Sequence, residues 1–222
     1  MSETQTDLSV EIWSDIMCPF CYIGKSKFEQ ALKSFTNKDR VQVTWKSYQL
    51  SPDMKSEPGK NINQYLAEHK GISIEEAKRM NDYVTEMAAQ VGLKYNFDIS
   101  ILGNSFDAHR FLHYAKEKGK QNEAEELIFA AYFTEGKDIA DIHTLIDIGE
   151  KLNLDSSEVK YMLKNNIYAE DVANDIAEAN QIGVRGVPFF VFDRKYAVSG
   201  AQDSQVFADI LLKSFDEMNQ SE

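Results

Sequence analysis

The feature that most constrains this chain is a pair of cysteines three positions apart, Cys18-Pro19-Phe20-Cys21, set where an alternating apolar segment gives way to a helical one. They are the only two cysteines in 222 residues. A disulfide closing so short a loop restricts the unfolded chain little, so a structural staple is a poor use of the pair. Zinc would need further ligands, and no second Cys-x-x-Cys or paired Cys/His motif supplies them. Thiol–disulfide chemistry is the favoured reading, ahead of a chance or relic pair of inert thiols.

The flanking pattern supports it. Leu8, Val10 and Ile12 alternate with residues of the opposite face, which predicts a strand running to Asp15. Pro19 suits the first helical position, where its missing N–H would have had no partner. Gly24, Phe28, Ala31, Leu32 and Phe35 then repeat at helical spacing and extend the helix to about residue 35. Cys18 therefore sits at a helix N-terminus, where unpaired N–H groups and the macrodipole favour an anion. Cys21 lies one turn further in. The expected roles follow: Cys18 attacks and Cys21 resolves, with Pro19 and Phe20 forming the loop between them.

Val41, Val43 and Trp45 predict a second strand ending near Tyr48, and Ser51-Pro52-Asp53 and Glu57-Pro58-Gly59 mark a loop. About a hundred mostly helical residues follow. Periodicity marks helices over Asn104–Lys118, Glu123–Phe133 and Asp141–Leu152, and Ser73-Ile74-Glu75-Glu76 and Asp155-Ser156-Ser157-Glu158 read as capping signals. Near the end, Tyr168, Val172, Ile176 and Ala179 line a helix stopped by Gly183. Val187–Phe192 reads as a strand, Asp193-Arg194-Lys195 as a hairpin turn, Tyr196–Val198 as a second strand, and Phe207, Ile210, Leu211 and Phe215 as a closing helix. The order β-α-β, helices, α-β-β-α predicts an α/β chain: a thioredoxin fold in two parts, residues 1–58 and 166–222, interrupted by an all-helical insertion at 59–165. An isolated Pro188 would be an ordinary trans proline at a strand edge. In a thioredoxin fold it faces the cysteine pair in the cis form and leaves the backbone of Val187 to pair with an extended substrate.

The formal net charge of −12, from 24 Lys and Arg against 36 Asp and Glu, argues against nucleic-acid or anionic-membrane partners. The first residues lack the basic and apolar regions of a secretory signal, and no apolar run approaches the ~20 residues that span a bilayer, so the expectation is a cytoplasmic protein. His109 and His113 lie four apart without a completing Glu-x-x-His, so no metal site is expected there. Gly24-Lys25-Ser26 imitates the tail of a phosphate-binding loop, but Pro19 stands where the earlier glycine belongs.

Four motifs carry a family resemblance: Asp15-x-x-Cys18-Pro-Phe-Cys21-Tyr-Ile-Gly24, Asn104-Ser-Phe-Asp-Ala-His-Arg110, Ala131-Tyr-Phe-Thr-Glu-Gly136 and Gly186-Val-Pro-Phe-Phe-Val-Phe192. From about Val10 to Phe215 the chain resembles the FrnE-type branch of the DsbA-like family. The resemblance implies protein-disulfide oxidoreductase or isomerase activity toward thiol- or disulfide-containing proteins or small thiols. It implies no bound cofactor beyond the redox disulfide, with glutathione as a candidate co-substrate. It carries the nucleophile onto Cys18, the resolving thiol onto Cys21, and the cis-proline onto Pro188 with Val187 before it. In the related glutathione-using branch, the kappa-class transferases and hydroxychromene-carboxylate isomerases, a similar helix start lies beside the active site. Asn104, Ser105 and Arg110 are therefore cleft candidates, against a plain reading as a helix cap and a surface arginine. Those relatives characteristically have Ser at the first cysteine position, which argues against their chemistry here. A third alternative is a redox-inactive, chaperone-like binding module under a helical lid.

Two departures from the family pattern matter. DsbA itself has His where this chain has Phe20, so this dithiol is expected to be less oxidising. The buried carboxylate often found six residues before the first cysteine is replaced by Ile12, and Glu11 and Asp15 lie on the opposite face of the strand. Sequence reasoning leaves proton handling at Cys21 without a candidate.

Overall fold

The computed structural model describes residues 7–55 and 59–220. Strand β1 (Leu8–Ser14) pairs in parallel with β2 (Val41–Ser47), Ile12 opposite Trp45. On its other side it pairs antiparallel with β3 (Phe189–Phe192), Ile12 opposite Phe190. Strand β4 (Tyr196–Ser199) pairs with β3, giving the order β2-β1-β3-β4. A parallel pair needs a crossover, and helix α1 (Pro19–Ser34) supplies it.

Strict alternation in β1 decides what lies on each face. Leu8, Val10 and Ile12 join Phe190 and Phe192 against Phe28 of α1 and Phe207, Leu211 and Phe215 of the closing helix α9 (Ser204–Gln220). Trp13 and Val191 face the other way, onto Ala179 of α8 (Ala169–Gln181) and the following Val184. The three-residue β3–β4 connection, 193–195, has Asp193 and Arg194 both at left-handed φ, 48° and 54°, at the centre of a turn closed by the Lys195 N–H donating to the Phe192 carbonyl at 3.0 Å. Arg194 is held there by the carboxylates of Glu11 and Glu178.

Between the two parts of the sheet run α2 (Ile62–Lys70), α3 (Ile74–Gln90), α4 (Phe106–Glu117), α5 (Gln121–Phe133), α6 (Ile142–Lys151) and α7 (Ser156–Lys164). Their shared core includes Phe111, Ile128, Phe129, Leu145, Ile148 and Val159, and it is continuous with Ile16, Cys18, Cys21, Tyr22 and Ile23. These helices therefore enclose the cysteine-bearing end of α1. Gln121, at the start of α5, ties them to β2: its amide bonds both the N–H and the C=O of Trp45, covering an otherwise open sheet edge.

Several local expectations change in three dimensions. The β3 ladder starts at Phe189 rather than Val187, because Pro188 has no N–H to contribute. Ser73 and Glu76 form a full capping box. Asp155 caps α7, but Glu158 turns instead to Tyr114 and Lys118. On α8 the buried stripe is Val172, Asp175 and Ala179, with Ile176 only half-buried. Asp175 is tolerated inside because Lys46, His113 and the Ser47 N–H surround it. The expected turn at Glu57-Pro58, the boundary at residue 58, and residues 1–6 lie outside the described residues. Among the described residues no helix is long and apolar enough to cross a membrane.

Candidate active site

At the end of β1 the chain turns sharply, and the Cys18 N–H donates to the Asp15 carbonyl at 3.0 Å. The Asp15 carboxylate, fully buried, pins this turn: it accepts from the N–H groups of Met17 (3.2 Å) and Leu50 (2.7 Å) and lies 3.5 Å from His109 Nε2. Cys18 is the N-cap residue of α1, with Pro19 in the first turn and no side chain capping the helix. The opening N–H groups are thus left for a sulfur anion. The Cys21 N–H donates to the Cys18 carbonyl at 2.9 Å, which tightens the first turn and brings the two thiols together. Both cysteines are free thiols.

Across the cleft, the Val187–Pro188 peptide is cis, and the Cys18 thiol donates to the Val187 carbonyl at 3.4 Å. Gly24 makes this approach possible: a Cβ there would lie 2.8 Å from Pro188 Cγ. The Tyr95 hydroxyl donates to the Pro19 carbonyl at 2.7 Å, anchoring the helical segment on the active-site turn. Phe20 is 38 % exposed while Cys18 is 4 % and Cys21 0 % exposed, so Cys18 lies at the opening and Cys21 behind it.

Burial pushes the Cys21 thiol well above its usual range, and the hydrogen bond and charge of Cys18 add to this. The backbone N–H of Asp15 and the hydroxyl of Ser14 pull the other way. Ser14 in turn donates to Oε1 of Glu125, on α5, at 3.0 Å. Glu125 is fully buried, and its Oε2 has no hydrogen-bond partner. Burial raises the carboxyl to about 7, against the lowering effects of His109, Ser14 and Lys25.

Compared with known families, residues 9–212 match the DSBA-like thioredoxin domain. The chain belongs to that family. A probable DsbA oxidoreductase from Streptomyces coelicolor is 37 % identical, with a TM-score of 0.87 over 95 % of this chain and 91 % of that one. The uncharacterized protein YwbO of Bacillus subtilis is 29 % identical over 206 residues, 89 % of this chain and 92 % of that protein. The cytosolic disulfide reductase DsbM of Pseudomonas aeruginosa, solved with GSH, shares the fold at 16 % identity, with a TM-score of 0.66 over 94 % of this chain and 99 % of that one.

In this DSBA-like chain the fold brings Cys18, Pro19, Phe20, Cys21, Val187 and Pro188 to one place, but it disperses the three cleft candidates. Asn104 ties down the loop after β2. Its amide donates to the carbonyls of Pro52 and Met54, and its oxygen accepts from Gln49 and from the Phe106 N–H. It lines an open cavity of about 460 Å³ with Gln49, Pro52, Phe106, Asp107 and Ala140. Ser105 is buried, and its side chain makes no cap bond because Asn104 supplies it. Arg110 is 1 % exposed rather than a cleft or surface residue. Its guanidinium clamps the carbonyls of Met162, Leu163 and Ile167 and the carboxylate of Asp107. His109 and His113 do not converge: one meets Asp15 and the other meets Asp175 and Ser47. Among the described residues no group of three or more His, Cys, Asp or Glu is placed to hold a metal ion.

Glu125 is the residue that sequence reasoning missed. It sits among Glu123 and Glu126 in the helix expected over Glu123–Phe133. A signal was nonetheless present: Gln121, Ile128, Phe129 and Tyr132 fall at helical spacing from it, and that whole face is buried.

Proposed function

We propose that this chain exchanges disulfides through Cys18 and Cys21, acting on thiol- or disulfide-containing proteins. The observation that carries the reading is the meeting of the Cys18 sulfur with the Val187 carbonyl at the head of the cis Val187–Pro188 peptide, with Cys21 one turn behind. The Cys18 thiolate attacks one sulfur of a substrate disulfide, that S–S bond breaks, and the departing thiolate takes up a proton from solvent. Cys21 then attacks the Cys18 sulfur of the mixed disulfide, releases the second substrate thiolate, and closes the Cys18–Cys21 disulfide. The cycle runs backwards when the oxidised pair meets a reduced substrate. An extended substrate lies along the Val187 backbone, where main-chain hydrogen bonds hold its sulfur in line with Cys18. Residues 59–165 act as a helical cover on this site, a role supported by the Tyr95–Pro19 bond and by the core that α5 shares with Cys21. The four sequence motifs favour the FrnE-type branch. The two cysteines, with no serine at the first position, favour exchange over glutathione-dependent isomerisation.

A second reading makes glutathione the co-substrate, and the GSH held by the DsbM relative favours it. Reduction of insulin by dithiothreitol tests the first reading. The wild-type chain should accelerate precipitation of the insulin chains, and Cys18→Ser should not. Equal rates for the two would refute the proposal, and acceleration seen only with glutathione as reductant would assign the second reading.

A further inference from the structure

His109, on α4, is buried beneath the active-site turn, and the exchange steps above do not use it. We propose that His109 is a positioning residue for exchange: carrying a proton, it pairs with Asp15 and offsets the carboxylate charge that would otherwise repel the Cys18 thiolate. The inference rests on the exchange reading and adds to it the group that prepares its nucleophile.

Three observations carry it. An unbroken chain of contacts runs from His109 to Cys18. His109 Nε2 lies 3.5 Å from Asp15 Oδ1, which accepts the Met17 N–H at 3.2 Å. The other carboxylate oxygen accepts the Leu50 N–H at 2.7 Å, and the Asp15 carbonyl accepts the Cys18 N–H at 3.0 Å. Asp15 is 0 % exposed, and in this chain of contacts the imidazole is the only side chain able to offset its charge. His109 Nε2, itself buried, has no hydrogen-bond partner. Such an orphan costs stability in a neutral ring, whereas protonation makes it a charged donor beside an anion. The residues between the cysteines, Pro19 and Phe20, bring no charge to the sulfur, so a balancing charge has to come from outside the loop.

The other charged groups around His109 are engaged elsewhere. Glu125 of α5 and Lys46 of β2 line the same narrow cleft. Lys46 is drawn to Glu11, Asp175 and Glu178 at 3.6, 3.2 and 2.6 Å. Lys25 of α1 is held by Glu29 and Glu126 at 2.7 and 2.6 Å. Of the helices packed on α4, α7 directs Glu158 to Tyr114 and Lys118, and α8 directs Asp175 to Lys46 and His113. The α6 helix brings apolar Leu145 and Ile148 to the shared core. His109 is left between two carboxylates, Asp15 and Glu125, and histidine is the side chain that ordinarily exchanges a proton between pH ~5 and ~8.

His109 makes and breaks no covalent bond. The Cys18 S–H gives its proton to solvent, and the thiolate forms at the helix N-terminus with the charge of Asp15 offset by the imidazolium. Without that imidazolium Asp15 stands unopposed, less thiolate forms at a given pH, and the dithiol becomes more reducing.

Alkylation of Cys18 by iodoacetamide reads the thiolate without any disulfide substrate, so its outcome is separate from the insulin assay of the exchange reading. In the reduced protein, followed by peptide mapping, His109→Gln should slow Cys18 alkylation roughly tenfold at pH ~6 and leave the rate above pH ~9 unchanged. Its equilibrium with glutathione should move by a similar factor toward the protein disulfide, ~30 mV more reducing. Glutamine keeps a donor for Asp15, so a purely structural histidine would be replaced without this change. Linkage is reciprocal, so NMR titration of the His109 ring in the wild type should lie at higher pH in the dithiol than in the disulfide form. That measurement carries the test if His109→Gln does not fold. A wild-type alkylation profile in His109→Gln, a slowing equal at every pH, or one His109 titration in both redox states would overturn the role of His109. Failure of the wild type to accelerate insulin reduction would remove the exchange reading, and this proposal with it.

Discussion

Replacing Glu125 by glutamine should change how stability depends on pH, and the sign follows from burial. The carboxyl moves from an ordinary 4.5 to about 7 on folding, chiefly because burial disfavours the charged form. At ~1.4 kcal/mol for each tenfold change in an ionisation equilibrium, that rise is worth about 3 kcal/mol. Below pH ~4.5 both folded and unfolded chains hold the proton, and the group's contribution to stability is fully present. Between ~4.5 and ~7 the unfolded chain loses the proton while the folded chain keeps it, so stability falls as pH rises. Above ~7 both are ionised and the loss is complete. Carboxylates shifted the other way, Asp175 and Glu178 among them, contribute stability that grows with rising pH. They are common to both proteins and cancel in the comparison. Urea denaturation of wild type and Glu125→Gln at several values from pH ~4.5 to ~8 measures the difference. The wild type should lose on the order of 3 kcal/mol relative to the variant across that range. Parallel stability curves would refute the argument that Glu125 is ionised against its burial.

Three further outcomes can be checked. Gly24→Ala puts a Cβ 2.8 Å from Pro188 Cγ. The overpacking cost of ~1–3 kcal/mol exceeds the ~1 kcal/mol gained in helix propensity. Melting should therefore fall and insulin reduction slow, whereas a higher melting temperature at an unchanged rate would show that the contact is slack. Iodoacetamide should label Cys18 of the reduced protein before Cys21, because burial seals Cys21 and pushes its thiol up; peptide mapping that finds Cys21 labelled first would reverse the two roles. Arg110→Ala leaves the Met162, Leu163 and Ile167 carbonyls without their donor and should cost about 3 kcal/mol in denaturant melts. Intact stability with weakened substrate binding would instead return Arg110 to the cleft.

What the sequence determined by itself is the part governed by local rules. Period-two alternation of Leu8, Val10 and Ile12 makes β1, Pro19 opens α1 where its missing N–H does no harm, and Gly183 ends α8, each signal acting on the few residues around it. Cys18 and Cys21 were legible for the same reason, since a three-residue spacing at a strand-to-helix junction sets their relation before anything else folds. Pro188 stood out through its neighbours, but only the packing of Gly24 against its ring brings it to Cys18, from 170 positions away. Polar residues on helices were the least legible. Arg110 read as a surface or cleft residue and Glu125 only as one position of a helix, yet both are buried. A charge on a helix declares its own face but not which element will cover that face. Only tertiary contact lays Glu125 against Ser14, 111 residues earlier in the chain, and desolvation there turns an ordinary carboxylate into one that holds its proton near neutrality.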